Sequence, residues 1–483
     1  MQWPTGPYQA GRGPVAMDHR AAIHSLADTQ PKVFWSDRQD APPPAPRLTG
    51  HDDAGLVIVG GGFTGLWAAI QAKEEDPRRD VVLLEARTIG FGASGRNGGF
   101  VDASLTHGLH NGVRHFGSEI GTLHRLGLQN LGNIADTLRR YDVGAEWDSR
   151  GMLYVATEPY QVSELRAQAE LLNAYGETAQ VLDAAQTRAE LSSPTYRGGC
   201  LRETGKATVN PVLLAWGLRR IAESLGTRIY EHSPVRRLEA DRAFITALTP
   251  YGSVRAARAI VGTSAYPAPL RAIRRYVAPV YDYVLVTEPL SAAQLSSLAW
   301  ARRMPVADSG NQFHYYRLTA DNRILWGGYD AIYYFGGDVG AHRDERAASF
   351  ATLASHFFAT FPQLEGIRFT HQWGGAIDTC TRFCATFGTA MDGKAAYAVG
   401  YTGLGVAATR FGARVALDLV DGARTQRTQL KLVRSKATPF PPEPIRWAAI
   451  QVTRRALARS DRRDGRRGPW LSLLDRLRVG FDS

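Results

Sequence analysis

The sequence predicts an α/β protein with a second, α+β domain built on a mostly antiparallel sheet. Two stretches, near residues 56–85 and 396–420, alternate strand and helix around glycine turns, as parallel α/β sheets do. Between them, residues 281–334 carry short runs of β-branched and aromatic residues separated by turns, which is typical of antiparallel strands. At 483 residues and 44% apolar content, the chain exceeds one hydrophobic core and can fill two. Because the α/β pattern stops and later returns, we expect interleaved domains.

The first predicted strand leads into a glycine fingerprint. Residues 56–59 read as a buried strand, and Gly60, Gly62 and Gly65 follow as G-x-G-x-x-G before a helical pattern. In such a unit the first glycine allows a tight turn, the second lets backbone approach a pyrophosphate, and the third permits close packing of helix on strand. The N-terminus of the helix then faces the phosphate charge. We therefore predict a dinucleotide cradle.

The second predicted strand, at 81–84, ends at Glu85, twenty residues after Gly65. A carboxylate at this spacing accepts hydrogen bonds from the adenosine ribose and favours a free 2′-hydroxyl over a 2′-phosphate. Strand, fingerprint, helix, strand and acid thus occur in order, which a bare glycine-rich turn does not show. FAD and NAD share this geometry.

The loop at 90–99 bears on the choice between the two nucleotides. Its glycines let backbone N–H groups surround phosphate or ribityl oxygens, and Arg96 and Asn97 add planar donors. The other interpretation is a flexible surface loop. The sequence holds no second strand, G-x-G-x-x-G and helix in succession, which argues against an NAD(P)H-dependent flavin reductase, because that class needs a separate nicotinamide domain.

The remaining elements follow from periodicity. Helices are predicted at 115–142, 160–190 and 212–225, and strands at 151–156, 228–230, 259–263, 281–287, 314–318, 323–329 and 396–399. Asp321-Asn322 predicts a hairpin tip. The predicted dinucleotide domain comprises 51–115, 195–265 and 375–423, and the predicted substrate domain 116–194 and 266–374. An extension at 1–50 precedes them, its first sixteen residues either disordered or the product of a mis-chosen start, and a basic helical tail at 424–483 follows.

The positive charge lies in the tail. The chain has a formal net charge of +11, of which residues 424–483 contribute +10, from fifteen Lys/Arg and five Asp/Glu. Apolar residues accompany the arginines at helical spacing, which predicts either a helix packed on the body or weak docking to anionic lipid through residues 446–481. No nucleic-acid-binding motif accompanies the basic residues, so we expect no nucleic-acid partner.

Cysteine and histidine usage excludes two further classes of site. Cys200, Cys380 and Cys384 form neither an even set nor a C-x-x-C pair, which favours a reducing compartment. The histidines lack ligand spacing, so we predict no metal. No apolar run approaches the length of a membrane span. We expect a cytoplasmic protein, peripheral to the inner face of the membrane if the tail docks there.

Four segments resemble one family. The strings at 89–100, 315–323, 373–375 and 400–403 are similar to the gamma-glutamylputrescine oxidoreductase branch of the D-amino-acid-oxidase-like flavoproteins. The resemblance implies a glutathione-reductase-type FAD-binding domain interleaved with an antiparallel substrate sheet over the flavin. It also implies two-electron oxidation of a C–N bond to an imine, which water hydrolyses.

The resemblance also implies site residues. The glycines of the fingerprint and Glu85 would hold ADP-ribose, and the loop at 90–99 would line the flavin. Val235 would meet the adenine through its backbone. Gly403 and Gly405 of the later glycine turn would close over the isoalloxazine end. The predicted cofactor-binding residues are Gly60, Gly62, Phe63, Thr64, Gly65, Glu85, Ala86, Arg87, Ser94, Arg96, Asn97, Gly98, Gly99, Val235, Thr263, Gly403, Leu404 and Gly405.

A flavin takes hydride at N5 from the carbon that bears a neutral amine, so the protein must exclude water, orient the C–H bond and keep the amine deprotonated. An aromatic wall suits an alkylamine, although each such residue can equally be part of the sheet's own core. The wall would comprise Tyr281, Tyr315, Tyr316, Tyr329 and Trp373, and the candidates for the proton acceptor are His314, Asp282 and Asp330. We predict His314, Tyr316, Trp326 and Trp373 as the catalytic residues.

The sequence departs from the family's pattern at four places. Leu318-Thr319 stands where amino-acid oxidases carry a Pro-Arg carboxylate clamp, which favours an amine without an α-carboxylate, although Arg317 can still supply a clamp. Residues 325–328 offer no oxygen-activating lysine, so oxidase and dehydrogenase stay open. Leu404 replaces the usual histidine of the glycine turn. The covalent flavin link of some relatives falls near 373–375 and not at Cys380, which predicts non-covalent FAD.

The sequence thus predicts FAD-dependent oxidation of a C–N bond in an amine, giving an imine hydrolysed to an aldehyde. The electron acceptor would be oxygen, a quinone or a carrier protein. One alternative is oxidation of an N-methyl, cyclic or D-amino acid. The other is a non-catalytic, flavin-binding protein docked on a membrane through its tail.

Overall fold

A computed structural model describes residues 19–480; the first sixteen residues and Phe481, an apolar position of the tail, lie outside this range. The strands are β1 Gly50–Val59, β2 Val81–Leu84, β3 Phe100–Asp102, β4 Met152–Ala156, β5 Ala179–Asp183, β6 Gly198–Arg202, β7 Lys206–Thr208, β8 Arg228–Tyr230, β9 Arg237–Ala240, β10 Ile245–Leu248, β11 Gly252–Val261, β12 Ala278–Thr287, β13 Val306–Asp308, β14 His314–Leu318, β15 Ile324–Gly328, β16 Ile332–Tyr333, β17 Phe369–Thr379, β18 Thr386–Ala390 and β19 Ala395–Val399.

The helices are α1 His19–His24, α2 Phe63–Glu75, α3 Ala93–Arg96, α4 Leu109–Phe116, α5 Ile120–Arg140, α6 Pro159–Ala174, α7 Ala184–Glu190, α8 Pro211–Ser224, α9 Ala292–Leu298, α10 Ala347–Thr360, α11 Gly405–Val420, α12 Gln426–Gln429, α13 Lys431–Arg434, α14 Ile445–Asp461 and α15 Pro469–Arg476. None of the helices within residues 19–480 is long and apolar enough to cross a membrane.

The first sheet has the order β18-β19-β11-β1-β2-β8 and is parallel from β19 to β8. The four paired residues of β2 are all buried, because helices cover one face and the β9–β10 arm with its neighbours covers the other. Helices α2, α8 and α11 pack on the first face and bury apolar side chains against β1 and β2. The predicted α/β core is confirmed.

The second sheet has the order β16-β12-β15-β14-β13-β4-β6-β5, with β17 on the far side of β12. The predicted hairpin at Asp321-Asn322 joins the antiparallel strands β14 and β15. Strand β6 belongs to this sheet, although it lies in the segment 195–265 that we assigned to the dinucleotide domain. The predicted continuous helical region at 160–190 is wrong, because Gly176, at φ +83°, follows the end of α6 and β5 then pairs with β6.

The tail folds into helices that lie on the body. Leu471 and Leu474 of α15 are buried, and the indole N–H of Trp470 donates to the hydroxyl of Thr453 at 2.9 Å. Trp35, in the predicted N-terminal extension, is also buried. Both terminal segments therefore contribute to the packed structure.

Candidate functional site

The glycine cradle is closed so tightly that side chains cannot enter it. Gly60 adopts φ +109°, and a Cβ there would lie 2.6 Å from the carbonyl oxygen of Gly262. A Cβ on Gly65 would lie 1.9 Å from the carbonyl oxygen of Gly60. Helix α2 therefore packs directly against the turn that follows β1, as a pyrophosphate site requires.

The N-terminus of α2 is open to an anion. Gly62 stands at the N-cap and has no side chain to cap the helix. The N–H of Phe63 donates to the hydroxyl of Ser94 at 2.9 Å, and the Thr64 hydroxyl donates to the Tyr401 hydroxyl at 3.1 Å. The remaining N–H groups of the first turn, with the helix dipole, favour a phosphate.

Glu85 follows β2 and lies beside the glycine cradle. Its carboxylate accepts from the N–H of Gly61 at 2.6 Å and from the N–H of Arg87 at 2.8 Å. Burial raises the pKa of Glu85. The loop after β8 runs beside it, because the N–H of Ser233 donates to the Glu85 carbonyl at 2.8 Å. Val235 follows two residues later and is half-buried, while Ala86 is exposed.

The predicted flavin loop is ordered by its own side chains. The Asn97 amide donates to the carbonyls of Ala93 and Ser94 at 3.0 Å and accepts from the N–H of Gly99 at 2.8 Å. Arg96 forms an ion pair with Asp344 at 2.5 Å. The interpretation of this segment as a flexible surface loop is therefore not supported.

Two tryptophans hold the same loop from outside. The indole N–H of Trp373 on β17 donates to the Arg96 carbonyl, and that of Trp35 donates to the Asn97 carbonyl, both at 2.9 Å. A Cβ on Gly98 would lie 2.7 Å from the ring of Tyr315. The loop thus lies directly against one face of the second sheet.

The later glycine turn provides a second open helix N-terminus. Gly403 adopts φ +88° with open space around it, Leu404 caps α11 without a side-chain hydrogen bond, and Gly405 begins the helix. Asp378 accepts from the N–H of Gly400 at 2.7 Å, and burial raises its pKa to about 6. The hydroxyl of Thr263, at the end of β11, is buried without a hydrogen-bond partner in residues 19–480.

The second sheet presents different residues on its two faces, because side chains alternate along each strand. Tyr315, Gly327, Val284 and Trp373 stand in one cross-strand row and face the flavin loop. The next row on this face pairs Asp282 with Gly375. The opposite face packs on α10.

The structure separates the four predicted catalytic residues. His314, Tyr316 and Trp326 lie on the α10 face; only Trp373 lies on the loop face. The His314 ring bonds to Asp308 at 2.7 Å and to His356 at 2.9 Å, and it stacks on Trp326 with centroids 4.8 Å apart. These three residues belong to an aromatic core, and Trp373 positions the loop through its indole N–H.

The loop face instead offers a carboxylate–phenol pair. The Tyr315 hydroxyl donates to Asp282 at 2.6 Å, and the N–H of Tyr283 donates to the same carboxylate at 2.8 Å. Burial raises the pKa of Asp282 to about 6. Gly327 is the cross-strand neighbour of Tyr315, and Gly375 is that of Asp282. The Tyr315 ring lies over Gly327, whereas a Cβ on Gly375 would meet only Arg96 at 3.6 Å.

Arg317 is a buried cation on the same strand. It is 6% exposed, and its guanidinium donates to the carbonyls of Val209 at 2.9 Å and Gly99 at 3.3 Å. Within the described chain no carboxylate lies in ion-pair distance of it, and burial lowers its pKa to about 10. Arg317 therefore ties the sheet to the flavin loop.

Sequence reasoning missed a buried ion pair beside the loop. Strand β3 begins directly after Gly99 and pairs with β7, which places Asp102 against Lys206 in a close salt bridge. Burial disfavours the charge on Asp102, but Lys206 and Arg202 outweigh it and lower its pKa overall. A lone lysine in a three-residue strand carries no periodic signal, so only the strand pairing reveals the ion pair.

These features fit a bound dinucleotide: two uncapped helix N-termini, a cradle that a Cβ would fill, a carboxylate at the ribose position and an orphaned buried hydroxyl. Cys200, Cys380 and Cys384 are buried free thiols, and burial raises the pKa of Cys380. No cluster of metal-ligating side chains occurs from His19 to Gly480.

Comparison with known proteins supports the same assignment. Residues 56–419 match the DAO family, described as FAD dependent oxidoreductase. The chain is 32% identical over 375 residues to gamma-glutamylputrescine oxidoreductase of Escherichia coli, covering 76% of this chain and 83% of that protein. It is 28% identical over 399 residues to the probable oxidoreductase OrdL of Haemophilus influenzae, covering 81% and 88%. Glycine oxidase from Geobacillus kaustophilus superposes with a TM-score of 0.66 at 20% identity, covering 80% of this chain and 99% of that one.

Proposed function

The chain belongs to the DAO family of FAD-dependent oxidoreductases, and we propose that it oxidises the C–N bond of an amine without an α-carboxylate. A compound of the gamma-glutamylputrescine type, or another primary or secondary amine, is the substrate class. The observation that carries the proposal is the Asp282–Tyr315 pair on the sheet face next to the flavin loop. The product is an imine, which water hydrolyses to an aldehyde.

The cofactor is FAD, and the residues that would hold it lie in the cradle, the loop and the later glycine turn. The N-termini of α2 and α11 would bind its anionic parts, and Glu85 its ribose. Bound FAD supplies a two-electron acceptor for the C–H bond beside the nitrogen. We propose non-covalent binding, because the Cys380 thiol is buried and directed to the carbonyls of Cys384 at 3.0 Å and Gly400 at 3.2 Å.

Asp282 keeps the amine nitrogen deprotonated. An ammonium ion that enters from water must lose a proton before its C–H bond can be oxidised, and a base with a pKa near 6 is ionised at neutral pH. Tyr315 orients the carboxylate through its hydroxyl, and its ring, which lies over Gly327, forms one wall of the proposed amine site. Phe100, with its ring centroid 5.4 Å from that of Tyr315, extends the wall. This wall excludes water and favours an alkyl chain.

Arg317 keeps a second candidate open. Oxidation of an N-methyl, cyclic or D-amino acid needs a cation for the substrate carboxylate, and Arg317 has no acidic partner within the described chain. Its donors already reach two carbonyls, however, and a carboxylate would have to displace them. We therefore rank amino acids second.

A panel of amines under anaerobic conditions tests both proposals. We expect putrescine or gamma-glutamylputrescine to bleach the flavin of the purified holoenzyme faster than sarcosine or proline does. The Asp282→Asn variant should lose at least 100-fold in the bleaching rate, whereas His314→Gln, on the opposite face, should keep it within about threefold. The opposite ranking of the two variants contradicts the assignment of the base. Protein that no amine bleaches supports the non-catalytic alternative.

The proposal also covers the acceptor that reoxidises the reduced flavin. Electrons pass to oxygen, a quinone or a carrier protein, and admission of air to the reduced enzyme separates oxygen from the other two.

We further propose a cytoplasmic enzyme whose tail makes weak contact with anionic membranes. Ile445 and Val452 remain exposed on α14, and Arg459, seven residues after Val452, continues the same side of the helix. Sedimentation with phosphatidylserine vesicles tests this contact; protein that stays in the supernatant at low salt contradicts it.

A further inference from the structure

We infer that the C-terminal tail, through Asp461, is a positioning element of the substrate pocket. The inference rests on the proposed function, because the pocket it concerns is the one beside Tyr315. The tail lies beyond residues 56–419, the segment that matches the family model.

Asp461 occupies a position that is unfavourable unless it has partners. It is the last residue of α14, where the negative end of the helix dipole disfavours a carboxylate. One of its oxygens accepts from the N–H of Asn311 at 3.1 Å and from the Asn311 side chain at 2.5 Å. The other accepts from the N–H of Gln312 at 3.2 Å. Three donors from one loop thus offset the charge.

That loop carries the edge of the pocket. Phe313 follows Gln312 directly, and its ring lies 6.4 Å from that of Tyr315. It is 38% exposed, whereas most large aromatic residues of the second sheet are buried, so it stands where the Tyr315 face meets solvent. Gln312 also donates to the carbonyl of Tyr329 at 3.2 Å. Release of the loop by loss of Asp461 would leave Phe313 held from one side only.

The far end of the tail is fastened to the other side of the site. The N–H of Gly480 donates to the carbonyl of Thr381 at 2.8 Å, in the loop after β17. The N–H of neighbouring Cys380 donates to the Thr402 hydroxyl at 3.1 Å, within the glycine turn. Asp475 holds the intervening helix α15 to Arg114 of α4. The tail therefore spans from the Phe313 loop to the support of the glycine turn.

The expected effect is on capture of the amine and not on the chemical step. Asp461 touches neither Asp282 nor Tyr315, so the limiting rate of flavin reduction should stay within twofold when it is changed. The amine concentration at half-maximal rate should rise about tenfold in Asp461→Ala, because the Phe313 edge no longer has a fixed position. Asp461→Asn retains one of the two acceptor oxygens and should show a smaller rise, of about threefold.

The experiment uses full-length holoenzyme, with Asp464→Asn as the control, because Asp464 adopts φ +54°, a left-handed backbone that asparagine tolerates better than alanine. Asp464 is an exposed acid three residues further on and makes no contact with the 309–313 loop. Anaerobic bleaching by putrescine and by gamma-glutamylputrescine gives the half-maximal concentration and the limiting rate. Hydrogen exchange of the Asn311 and Gln312 amides gives a readout that needs no substrate; we expect it to quicken at least tenfold in Asp461→Ala and to be unchanged in the control.

The outcomes separate the two proposals. Faster amide exchange with an unchanged half-maximal concentration overturns the positioning role, as does unchanged exchange. If no amine bleaches the wild-type flavin, the proposed function fails, and the exchange result still reports whether Asp461 holds the loop. If Asp461→Ala does not fold, Asp461→Asn replaces it against the same control, with a rise of about threefold in the half-maximal concentration expected.

Discussion

Gly65→Ala tests whether the glycine cradle is set by backbone contact. The added Cβ would lie 1.9 Å from the carbonyl oxygen of Gly60, whereas real Cβ atoms essentially never approach another heavy atom within 3.0 Å. Helix α2 or the turn must therefore move by at least about 1 Å. Backbone cannot give way as the end of a flexible side chain can. Overpacking of this kind costs about 1–3 kcal/mol.

Gly132→Ala is the matched control. Gly132 lies within helix α5 as Gly65 lies within α2, is exposed, and a Cβ there would meet nothing within 4 Å. Both substitutions gain about 1 kcal/mol of helix propensity. Only Gly65→Ala also meets the clash, so the two variants differ in packing and not in propensity.

The affinity for FAD is the quantity to measure. If the clash distorts the FAD-binding geometry, a loss of about 1–3 kcal/mol in binding free energy raises the dissociation constant for FAD roughly 5- to 150-fold. Titration of apoprotein with FAD, followed by quenching of flavin fluorescence, measures it. Gly132→Ala should stay within twofold of wild type and melt slightly higher. A Gly65→Ala protein that binds FAD within twofold of wild type refutes the reasoning.

Three further predictions concern charged groups near the site. In the wild type the flavin-reduction rate should rise as pH increases through about 6, because only the carboxylate form of Asp282 accepts a proton. The Asp282→Asn variant should lack this rise. Stopped-flow bleaching by putrescine across that pH range measures it, and an unchanged pH profile contradicts the prediction. Lys206→Met leaves Asp102 buried without its cation and should lower the free energy of unfolding in urea by about 3 kcal/mol. The folded-state pKa of Asp102 is lowered, so the ion pair stabilises the fold at pH values above the ordinary pKa of the carboxyl, and this stabilisation is lost as pH falls through the lowered pKa. The difference in unfolding free energy between wild type and Lys206→Met should therefore shrink as pH falls through that pKa. Arg317→Leu should weaken FAD binding at least fivefold, because the Gly99 carbonyl loses its hydrogen-bond donor. Unchanged FAD binding with selective loss of proline or sarcosine oxidation would instead identify Arg317 as a clamp for the substrate carboxylate.

The cradle was predictable because its determinants are local. Residues from Leu56 to Glu85 form one βαβ unit, in which each glycine and the terminal acid act through neighbours close in the chain. The family resemblance added the identity of the nucleotide. Trp35 carried no such signal, since its contact with the Asn97 carbonyl joins residues 62 positions apart.

The substrate side was not predictable to the same degree, because it depends on which face of a strand points inwards. His314, Tyr315 and Tyr316 are consecutive and all suit an aromatic wall, but a shift of one residue exchanges the two faces of the sheet. Both faces of this sheet are covered, one by α10 and one by the flavin loop, so hydrophobic alternation does not distinguish them. Only the cross-strand register with β15 and β12 assigns Tyr315 to the site.

Two glycines lie on the face of the second sheet that carries Tyr315 and Asp282. A strand interior loses stability with glycine, so Gly327 and Gly375 on the loop face need a reason. Close approach of the Tyr315 ring accounts for Gly327, since a Cβ there would lie 2.7 Å from it, but a Cβ on Gly375 would meet only Arg96 at 3.6 Å. Packing among the described residues therefore does not demand glycine at 375, because Arg96 stands at an ordinary van der Waals distance from that Cβ. Under the proposed function, an amine held beside Asp282 accounts for the glycine in the paired position, and Gly375→Val should raise the amine concentration at half-maximal flavin reduction without unfolding the sheet.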